Sequence, residues 1–410
     1  MLLQFNFENF KSFKEEATLN FLAQSKRDLP FHIIKSVSNQ VLPVAVLVGA
    51  NASGKSNVIQ ALKKMTEIVI QSLSYGRPSR KKISIQINPY LFDSESENNP
   101  SLFEVFFTDD EASKIYQYGF KIKEAIIEEW LYVRSKGGRG YKTIFERDES
   151  KLDLSGIPGA NRKSLEISLN KETLLVSLGA SQRVEVLEKV YSWFSSLTFA
   201  DYGNPTYTFF KETSLPSGFV SNPKIQEDVI EFLSSFDPDI KNFEVTEIDQ
   251  GNYILYSLHE DHNKNLVRIP FTEESSGTLK MFSLYQDIMD VLSTGSVLIV
   301  DELNSRLHPL LLRSLVALFL DEERNPLHAQ LIFASHDLWV LGCGLFRRDE
   351  IWFIEKNPVG ESSLYSLAEF RTKDGKAIKV NENFERNYAL GKYGAVPCLK
   401  KMQLKIKDKK

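Results

Sequence analysis

One short segment, GANASGKS at Gly49–Ser56, constrains the fold of this chain more than any other. It fits the pattern GxxxxGK[ST] at every position, which is the pattern of a phosphate-binding loop. In such a loop the backbone N–H groups surround phosphate oxygens, the lysine reaches the β- and γ-phosphates, and the last hydroxyl binds Mg²⁺. A buried-strand pattern, PVAVLVG, precedes the loop, and a helical pattern, NVIQALKKMTEIVIQSL, follows it. Because this motif requires a strand, a loop and a helix in that order, the sequence predicts ATP and Mg²⁺ as ligands.

Different residues of the loop are expected to bind the phosphates and the metal. Lys55 is predicted to bind phosphate during catalysis, and Ser56 is predicted to bind the metal. The alternative, a Gly/Ser turn with an incidental lysine, does not account for the flanking strand and helix. The residues expected to contact the nucleotide are Asn51, Ser53, Gly54, Lys55, Ser56 and Asn57.

A second motif, SVLIVDE at Ser296–Glu302, places two acids directly after four aliphatic residues. A carboxylate at the carboxyl end of a central strand lies beside a phosphate-binding loop, so Asp301 is predicted to bind Mg²⁺ and Glu302 to orient the attacking water. Because strands often end in acids, the motif alone is weak evidence for ATP hydrolysis. After a phosphate-binding loop on the same chain, it predicts ATP hydrolysis.

A third polar group, Ser335-His336-Asp337, follows the strand pattern QLIFA. At the end of a strand beside the other two motifs, His336 is predicted to hydrogen-bond the γ-phosphate and to sense its loss. A lone histidine at such a place is otherwise a loop or capping residue. The order of the three motifs favours the catalytic interpretation.

The remaining patterns predict the α/β fold class, with a mixed sheet, an antiparallel β subdomain and a helical insertion. LLQFNFE and ATLN alternate as antiparallel strands do, and KKISIQI, SLFEVFFT, YQYGFKI, WLYVRS and YKTIFER predict a β meander. ASQRVEVLEKVYSWFSSL and KIQEDVIEFLSSF have helical periodicity, and α/β patterns return from about residue 265. The predicted division is a discontinuous nucleotide-binding core (1–75 and 265–397), a β-rich subdomain (76–170), a helical or mixed insertion (171–264) and a basic tail (398–410).

Charge and cysteine content exclude several classes of protein. Fifty Lys and Arg against 54 Asp and Glu give a net charge of −4, so any binding of nucleic acid must be local. Two separate cysteines, Cys343 and Cys398, predict neither a disulfide framework nor a zinc site. No apolar run reaches the roughly 18 residues of a membrane span, and the N-terminus lacks a signal-peptide pattern, so we expect a cytoplasmic protein without a membrane partner.

Three basic segments leave DNA or RNA as a possible partner. Lys and Arg that neutralise phosphates would give salt-sensitive binding. The alternative is that these residues are solvated loop tips and a frayed tail. The segments are Arg77, Arg80, Lys81 and Lys82, then Arg134, Lys136, Arg139 and Lys142, and finally the tail KKMQLKIKDKK.

The order of these motifs, with EESSGT between the first two, resembles that of the ABC-class ATPases of the RecF, SMC and OLD group. In that group a Ser-Ser-Gly-Thr segment resembles the signature motif, which contacts the γ-phosphate of ATP bound to a second copy. The resemblance implies that Ser275, Ser276 and Gly277 contact nucleotide across a homodimer or higher homo-oligomer. The start of the following helix would favour an anion there. From the residues alone, EESSGT could equally be an N-cap.

Three further segments resemble the compact ATPases of bacterial phage-defence and abortive-infection systems, of the AbiL or RloA kind. They are Asn9–Phe13 (NFKSF), Leu307–Pro309 (LHP) and Tyr388–Pro397 (YALGKYGAVP). The resemblance implies an ATPase that regulates a separate effector, a nuclease or toxin, in antiphage defence. Asn304 stands where relatives often have an acid, and Arg306 replaces a small residue. Gln86, in KKISIQINPY, is the best candidate for the Q-loop glutamine of this group.

Two other functions stay open at this point. The first is a RecF-like DNA-repair or recombination ATPase that binds DNA under the control of ATP. The second is a scaffold that binds ATP, scarcely hydrolyses it and assembles in response. Stimulation of hydrolysis by DNA would favour the first, and very slow release of phosphate would favour the second.

Overall fold

The computed structural model describes most of the 410-residue chain. The described ranges are 1–25, 28–34, 40–75, 85–109, 111–249, 252–337, 339–342, 344–372, 375–379 and 382–396. Both cysteines, the basic group at residues 77–82 and the tail at 398–410 lie outside these ranges. None of the helices in these ranges is both long and apolar enough to cross a membrane.

Strands and helices follow one another in groups along the described chain. In chain order the strands are β1 (Leu2–Glu8), β2 (Ala17–Asn20), β3 (Val44–Val48), β4 (Ser101–Thr108), β5 (Lys114–Ile122), β6 (Ile126–Ser135), β7 (Lys142–Arg147), β8 (Leu152–Asp153), β9 (Thr198–Asp201), β10 (Ile240–Asp249), β11 (Asn252–Glu260), β12 (Leu266–Pro270), β13 (Val297–Asp301), β14 (Gln330–Ser335), β15 (Ile351–Lys356) and β16 (Ser362–Ser366). The helices are α1 (Lys55–Tyr75), α2 (Ser94–Asn98), α3 (Gly159–Ser168), α4 (Leu175–Ser181), α5 (Glu185–Ser196), α6 (Pro205–Thr213), α7 (Pro223–Ser234), α8 (Ser276–Thr294), α9 (Pro309–Leu320), α10 (Trp339–Gly342) and α11 (Phe384–Ala389).

A six-stranded mixed sheet, in the order β16-β15-β3-β14-β13-β9, holds the motif-bearing strands together. Strands β15, β3, β14, β13 and β9 are parallel, and only the pair β15–β16 is antiparallel. The carboxyl ends of β3, β14 and β13 therefore lie at one edge, where Asp301 ends β13, the phosphate-binding loop follows β3 and His336 follows β14. This sheet confirms the predicted α/β class and its mixed sheet.

The second large sheet is antiparallel throughout and has the order β2-β1-β4-β5-β6-β7-β8. Four of the predicted meander strands are confirmed as β4 to β7. The predicted strand KKISIQI is wrong for the part that is described, because residues 85–87 are not in a strand. The reason is that β1 pairs directly with β4 and takes the place beside it, while buried Ile85 still packs into the hydrophobic core.

Helix α1 packs between the two large sheets. Its buried side chains, such as Leu62 and Met65, join a hydrophobic cluster that includes residues of β1, β4 and β5 and one face of β3. The opposite face of the six-stranded sheet packs against α8 and α9, through residues such as Phe282 and Leu315. Burial on both faces explains why β3, β13 and β14 are apolar along almost their whole length.

The predicted helices are confirmed at α1, α5, α7 and α8, with one difference in the middle of the chain. A single helix is expected over ASQRVEVLEKVYSWFSSL, but α4 ends and α5 begins on either side of Arg183, which has φ of 57°. The division into domains stays a prediction. Two pairings cross its boundaries, since β1 lies beside β4 and β9 lies beside β13.

A buried carboxylate, Glu129 of β6, joins the antiparallel sheet to α4. Its oxygens accept hydrogen bonds from the Tyr118 hydroxyl at 3.0 Å and from the N–H groups of Leu175 and Val176 at 2.8 and 3.2 Å. The Nε of Arg147 lies 2.9 Å from its Oε2. Because α4 begins at Leu175, this carboxylate also interacts favourably with the positive end of that helix.

We therefore predict that Glu129→Gln lowers the free energy of unfolding by about 3–5 kcal/mol, because it leaves the Arg147 charge unpaired. Urea denaturation followed by circular dichroism measures the change. The control is the neighbouring Glu128→Gln, whose ion pair with Lys121 is about one third exposed, so its loss costs under about 1 kcal/mol. Equal effects of the two substitutions would contradict this role of Glu129.

Candidate functional site

The phosphate-binding loop has a backbone that requires glycine at Gly54. Its φ is 116°, and a Cβ there would lie 2.7 Å from the Ser362 hydroxyl and 2.9 Å from the Ser12 hydroxyl. The Ser362 hydroxyl donates a hydrogen bond to the Ser53 carbonyl at 2.6 Å and can accept one from the Ser12 hydroxyl, which lies 2.8 Å away. Ser12 belongs to the NFKSF segment, so that segment contributes directly to the conformation of the loop.

Lys55 lies inside the loop and is buried. Its Nζ donates to the carbonyl oxygens of Gly49 at 2.7 Å and Ala50 at 2.8 Å. Burial lowers the pKa of Lys55 to about 8, and the nearby carboxylates of Asp301 and Glu302 oppose that shift. The lysine is therefore mostly charged at neutral pH and lies close to the residues expected to bind phosphate and metal.

Asp301, the last residue of β13, lies next to Ser56. Their side chains are hydrogen-bonded, which lowers the pKa of Asp301, but burial and the negative charges of Asp201 and Glu302 raise it overall. This excess of negative charge beside a hydroxyl suits a divalent cation with oxygen ligands. The predicted metal residues are thus adjacent, and their environment fits Mg²⁺.

Asp201 is a residue of this site that the sequence did not reveal. It ends β9 in register with Asp301, and both acids line a cavity of about 270 Å³ beside α1. The available signal was the segment LTFAD, in which a short apolar run ends in an acid as SVLIVDE does. That signal is too short to predict a strand of the core sheet, because the pairing partner lies about 100 residues away in the sequence.

Glu302 and His336 face each other across the ends of β13 and β14. The His336 Nε2 lies 3.6 Å from the Glu302 Oε1, and both side chains are more than one third exposed. Burial and the charge of Lys55 lower the pKa of His336, so the imidazole is neutral at pH 7. The Asn304 amide oxygen accepts the N–H of His336 at 3.4 Å, so the residue that departs from the family pattern contacts this histidine.

A buried lysine of α8, Lys280, holds the turn that carries Glu302. Its Nζ donates to the carbonyls of Glu302, Leu303 and Ser305 at 3.0, 2.7 and 2.7 Å, and it lies 4.5 Å from the centre of the Tyr202 ring. Glu302 has φ of 55°, an uncommon conformation for this residue type. Burial lowers the pKa of Lys280 to about 7, and its three hydrogen bonds stabilise a backbone that local preference does not favour.

The EESSGT segment forms the start of α8 and contacts the same turn. Ser275 caps the helix by accepting the Thr278 N–H at 3.1 Å, and a Cβ at Gly277 would lie 3.3 Å from the Arg306 carbonyl. Ser275 and Ser276 are exposed. The N-cap interpretation is thus confirmed, and the two exposed serines leave contact with a second copy as a prediction.

The other residues predicted to contact the nucleotide differ in their exposure and hydrogen bonding. Asn51 is exposed, and the Ser53 hydroxyl is buried without a hydrogen-bond partner among the described residues. The Asn57 side-chain amide donates a hydrogen bond to the Ser12 hydroxyl at 2.7 Å and thus contacts the NFKSF segment. Gln86 is exposed in the connection after α1. The structure therefore brings Lys55, Ser56, Asp301, Glu302 and His336 together, as the motif order predicts.

Known families and structures offer a comparison for this arrangement. A family model described as "AAA domain, putative AbiEii toxin, Type IV TA system" matches residues 44–341. No curated protein matches the chain. The SMC head domain from Thermotoga maritima is 14% identical, with 89% of this chain and 98% of that chain covered and a TM-score of 0.41. The SmcHead bound to the C-winged helix domain of ScpA is 13% identical, with 89% and 97% covered and a TM-score of 0.40.

We predict that Lys280→Met reduces the expected hydrolysis of ATP at saturation roughly 10- to 100-fold, because loss of its three donors lets the Glu302 turn shift. Phosphate release measures this rate, and ATP affinity, measured separately, should stay near that of the wild type. Ser283→Ala is the control, since it removes a buried hydroxyl from the same helix without touching the turn. A full rate in Lys280→Met, or an equal loss in both variants, would contradict the assignment.

Proposed function

Because this chain belongs to the AAA domain family of the AbiEii toxin type, we propose that it is an ATPase that dimerises around ATP and regulates a separate effector in antiphage defence. The observation that carries the ATPase proposal is the convergence of Lys55, Ser56, Asp301, Glu302 and His336 at one edge of the six-stranded sheet. This edge, beyond the carboxyl ends of parallel strands, is where α/β proteins of this type bind ligands.

In the proposed reaction, the backbone N–H groups of the loop and the Lys55 ammonium bind the β- and γ-phosphates. The Ser56 hydroxyl and the Asp301 carboxylate would hold Mg²⁺, which neutralises phosphate charge when bound. Glu302 is exposed enough to contact water and orients it for attack on the γ-phosphorus. His336, neutral at pH 7, hydrogen-bonds the γ-phosphate and links its presence to Glu302.

The proposed dimer rests on the exposed start of α8. Ser275 and Ser276 are exposed, and the N–H groups of the first turn of a helix have no partner within that helix. A γ-phosphate presented by a second copy would satisfy both the hydroxyls and the positive end of the 19-residue helix. ATP would then bridge two copies, and hydrolysis would release them.

The defence role rests on the family description, which names a toxin of a type IV toxin–antitoxin system. We propose a cytoplasmic protein whose ATP-bound dimer restrains or releases a nuclease or toxin encoded separately. Phage survival in bacteria that carry this gene with its neighbours tests the role, since Lys55→Ala should abolish any protection that the intact genes give. Protection that persists in that variant would contradict a role for ATP in it.

We predict that Glu302→Gln lowers the rate of phosphate release by about 10² or more, because the amide cannot accept a proton from water. ATP binding should persist, so the variant should accumulate as an ATP-dependent dimer in light-scattering chromatography. Glu323→Gln, an exposed glutamate outside the site, is the control and should behave as the wild type does. Normal turnover in Glu302→Gln would remove the assignment of this base.

A second candidate function, an ATPase that binds DNA or RNA, is favoured by the tip of the β6–β7 hairpin. The Arg134 guanidinium lies 5.0 Å from the centre of the Tyr141 ring, and Lys136, Arg139 and Lys142 are exposed beside it. A cationic loop with an exposed aromatic ring can contact both phosphates and bases.

This second candidate predicts measurable affinity for a single-stranded or double-stranded oligonucleotide, with log K falling steeply as log salt rises. Replacing Arg134, Arg139 and Lys142 together by Gln should reduce that slope by roughly two to three. Fluorescence anisotropy at several salt concentrations measures it, and the control is the pair Lys121→Gln and Lys123→Gln at the carboxyl end of β5. No binding by the wild type, with or without ATP, would reject the candidate.

A further inference from the structure

The segment Tyr388–Ala395 lies outside the residues matched by the family model, which end at residue 341. In the structure it contacts the phosphate-binding loop directly. The Ala50 N–H donates a hydrogen bond to the Ala395 carbonyl at 3.1 Å. This contact joins the last described part of the chain to the second residue of the loop.

The Ala395 carbonyl is held firmly in place. Ala395 is buried and has φ of 57°, and its carbonyl also accepts the Tyr388 hydroxyl at 2.7 Å. The Tyr388 ring stacks on Phe353 with ring centres 5.3 Å apart, and Phe353 is in register with Val48, the last residue of β3. The segment therefore packs on the strands that support the loop as well as on the loop itself.

The backbone N–H and C=O groups of Ala50 are therefore both held by hydrogen bonds. Its N–H is bound by Ala395, and its carbonyl accepts the Lys55 Nζ at 2.8 Å and the Ser53 N–H at 3.2 Å. A shift of Ala50 would move the carbonyl that positions Lys55 and the turn that presents the following N–H groups. The conformation that binds phosphate thus depends on a group supplied from residue 395.

We propose that Tyr388, Gly394 and Ala395 are a part of the nucleotide site and set ATP affinity by holding the start of the phosphate-binding loop. The proposal rests on the proposed binding of ATP at that loop. These three residues act through Ala50 and Lys55, so they are positioning residues. They should affect the binding of ATP far more than the rate at saturation.

Gly394 explains why this segment needs glycine beside Ala395. Its φ is 73°, and a Cβ there would lie 2.8 Å from the Tyr365 hydroxyl and 2.9 Å from the Glu355 Oε2. The Tyr365 hydroxyl donates to the Tyr393 carbonyl at 2.7 Å, so a side chain at Gly394 would displace the backbone next to Ala395. Gly391 offers a matched control, because its φ is 71° but its Cβ would meet only a Val396 methyl group at 3.4 Å.

The test measures the Kd of ATP with Mg²⁺ by isothermal titration calorimetry and the rate of phosphate release at saturating ATP, both on the full chain. Tyr388→Phe keeps the stacked ring and loses the hydroxyl, so the Kd should rise about 5- to 10-fold. Gly394→Ala should raise it 10-fold or more. In both variants the rate at saturation should stay within about twofold of the wild type.

Gly391→Ala introduces the same backbone strain three residues before Gly394 and should leave the Kd unchanged. An unchanged Kd in both Tyr388→Phe and Gly394→Ala overturns the proposal. A parallel fall in affinity, rate and melting temperature in all three variants also overturns it, because that result indicates general destabilisation. Failure of the wild type to bind ATP would instead reject the proposed function on which this inference depends.

Discussion

Strand β3 packs its alternate side chains into two separate hydrophobic clusters, and the position of the site depends on that burial. Ala45 and Leu47 join the cluster around α1 and the antiparallel sheet, whereas Val44, Val46 and Val48 join the cluster around α8 and α9. A strand buried on both faces cannot rotate or slide without exposing apolar surface. Gly49 therefore has one defined position at the edge of the sheet, near the ends of β13 and β14.

Charge in the site is balanced only in part by the chain itself. Burial lowers the pKa of Lys55 and raises that of Asp301, so the charged form of each group is destabilised. The Asp301 carboxylate favours the charged form of Lys55, but Asp201 and Glu302 add negative charge near Asp301. A triphosphate accompanied by a divalent cation supplies an anion to the lysine and a cation to the carboxylates. The electrostatics of the site thus favour the pair of ligands that the loop motif predicts, and neither ligand alone satisfies both groups.

Local sequence patterns predicted the elements that carry the motifs, because a buried strand, a glycine-rich loop and an amphipathic helix each have their own periodicity. The resemblance to AAA-type ATP-binding proteins is confirmed by the family match over residues 44–341, an AAA domain of the AbiEii toxin type. What the sequence could not reveal depends on contacts between distant residues. Asp201 lies in the site only because β9 pairs with β13. Nothing in the sequence distinguishes Lys280 from the other lysines, because its three carbonyl partners are known only from the structure. Arg183 ends a helix by a left-handed backbone that helical periodicity does not encode.

The conformation of the phosphate-binding loop depends on groups from both ends of the described chain. Ser362 binds the Ser53 carbonyl and the Ser12 hydroxyl, and Ala395 binds the Ala50 N–H. All three of these supporting residues lie outside the family-matched region, whereas Lys55 and the acids that face it lie within it. The shared region therefore contains the groups proposed for catalysis, and the flanking segments hold the loop that presents them. Since the affinity of a loop for phosphate depends on how far its N–H groups are preorganised, the flanking segments can change ATP affinity without altering any catalytic residue.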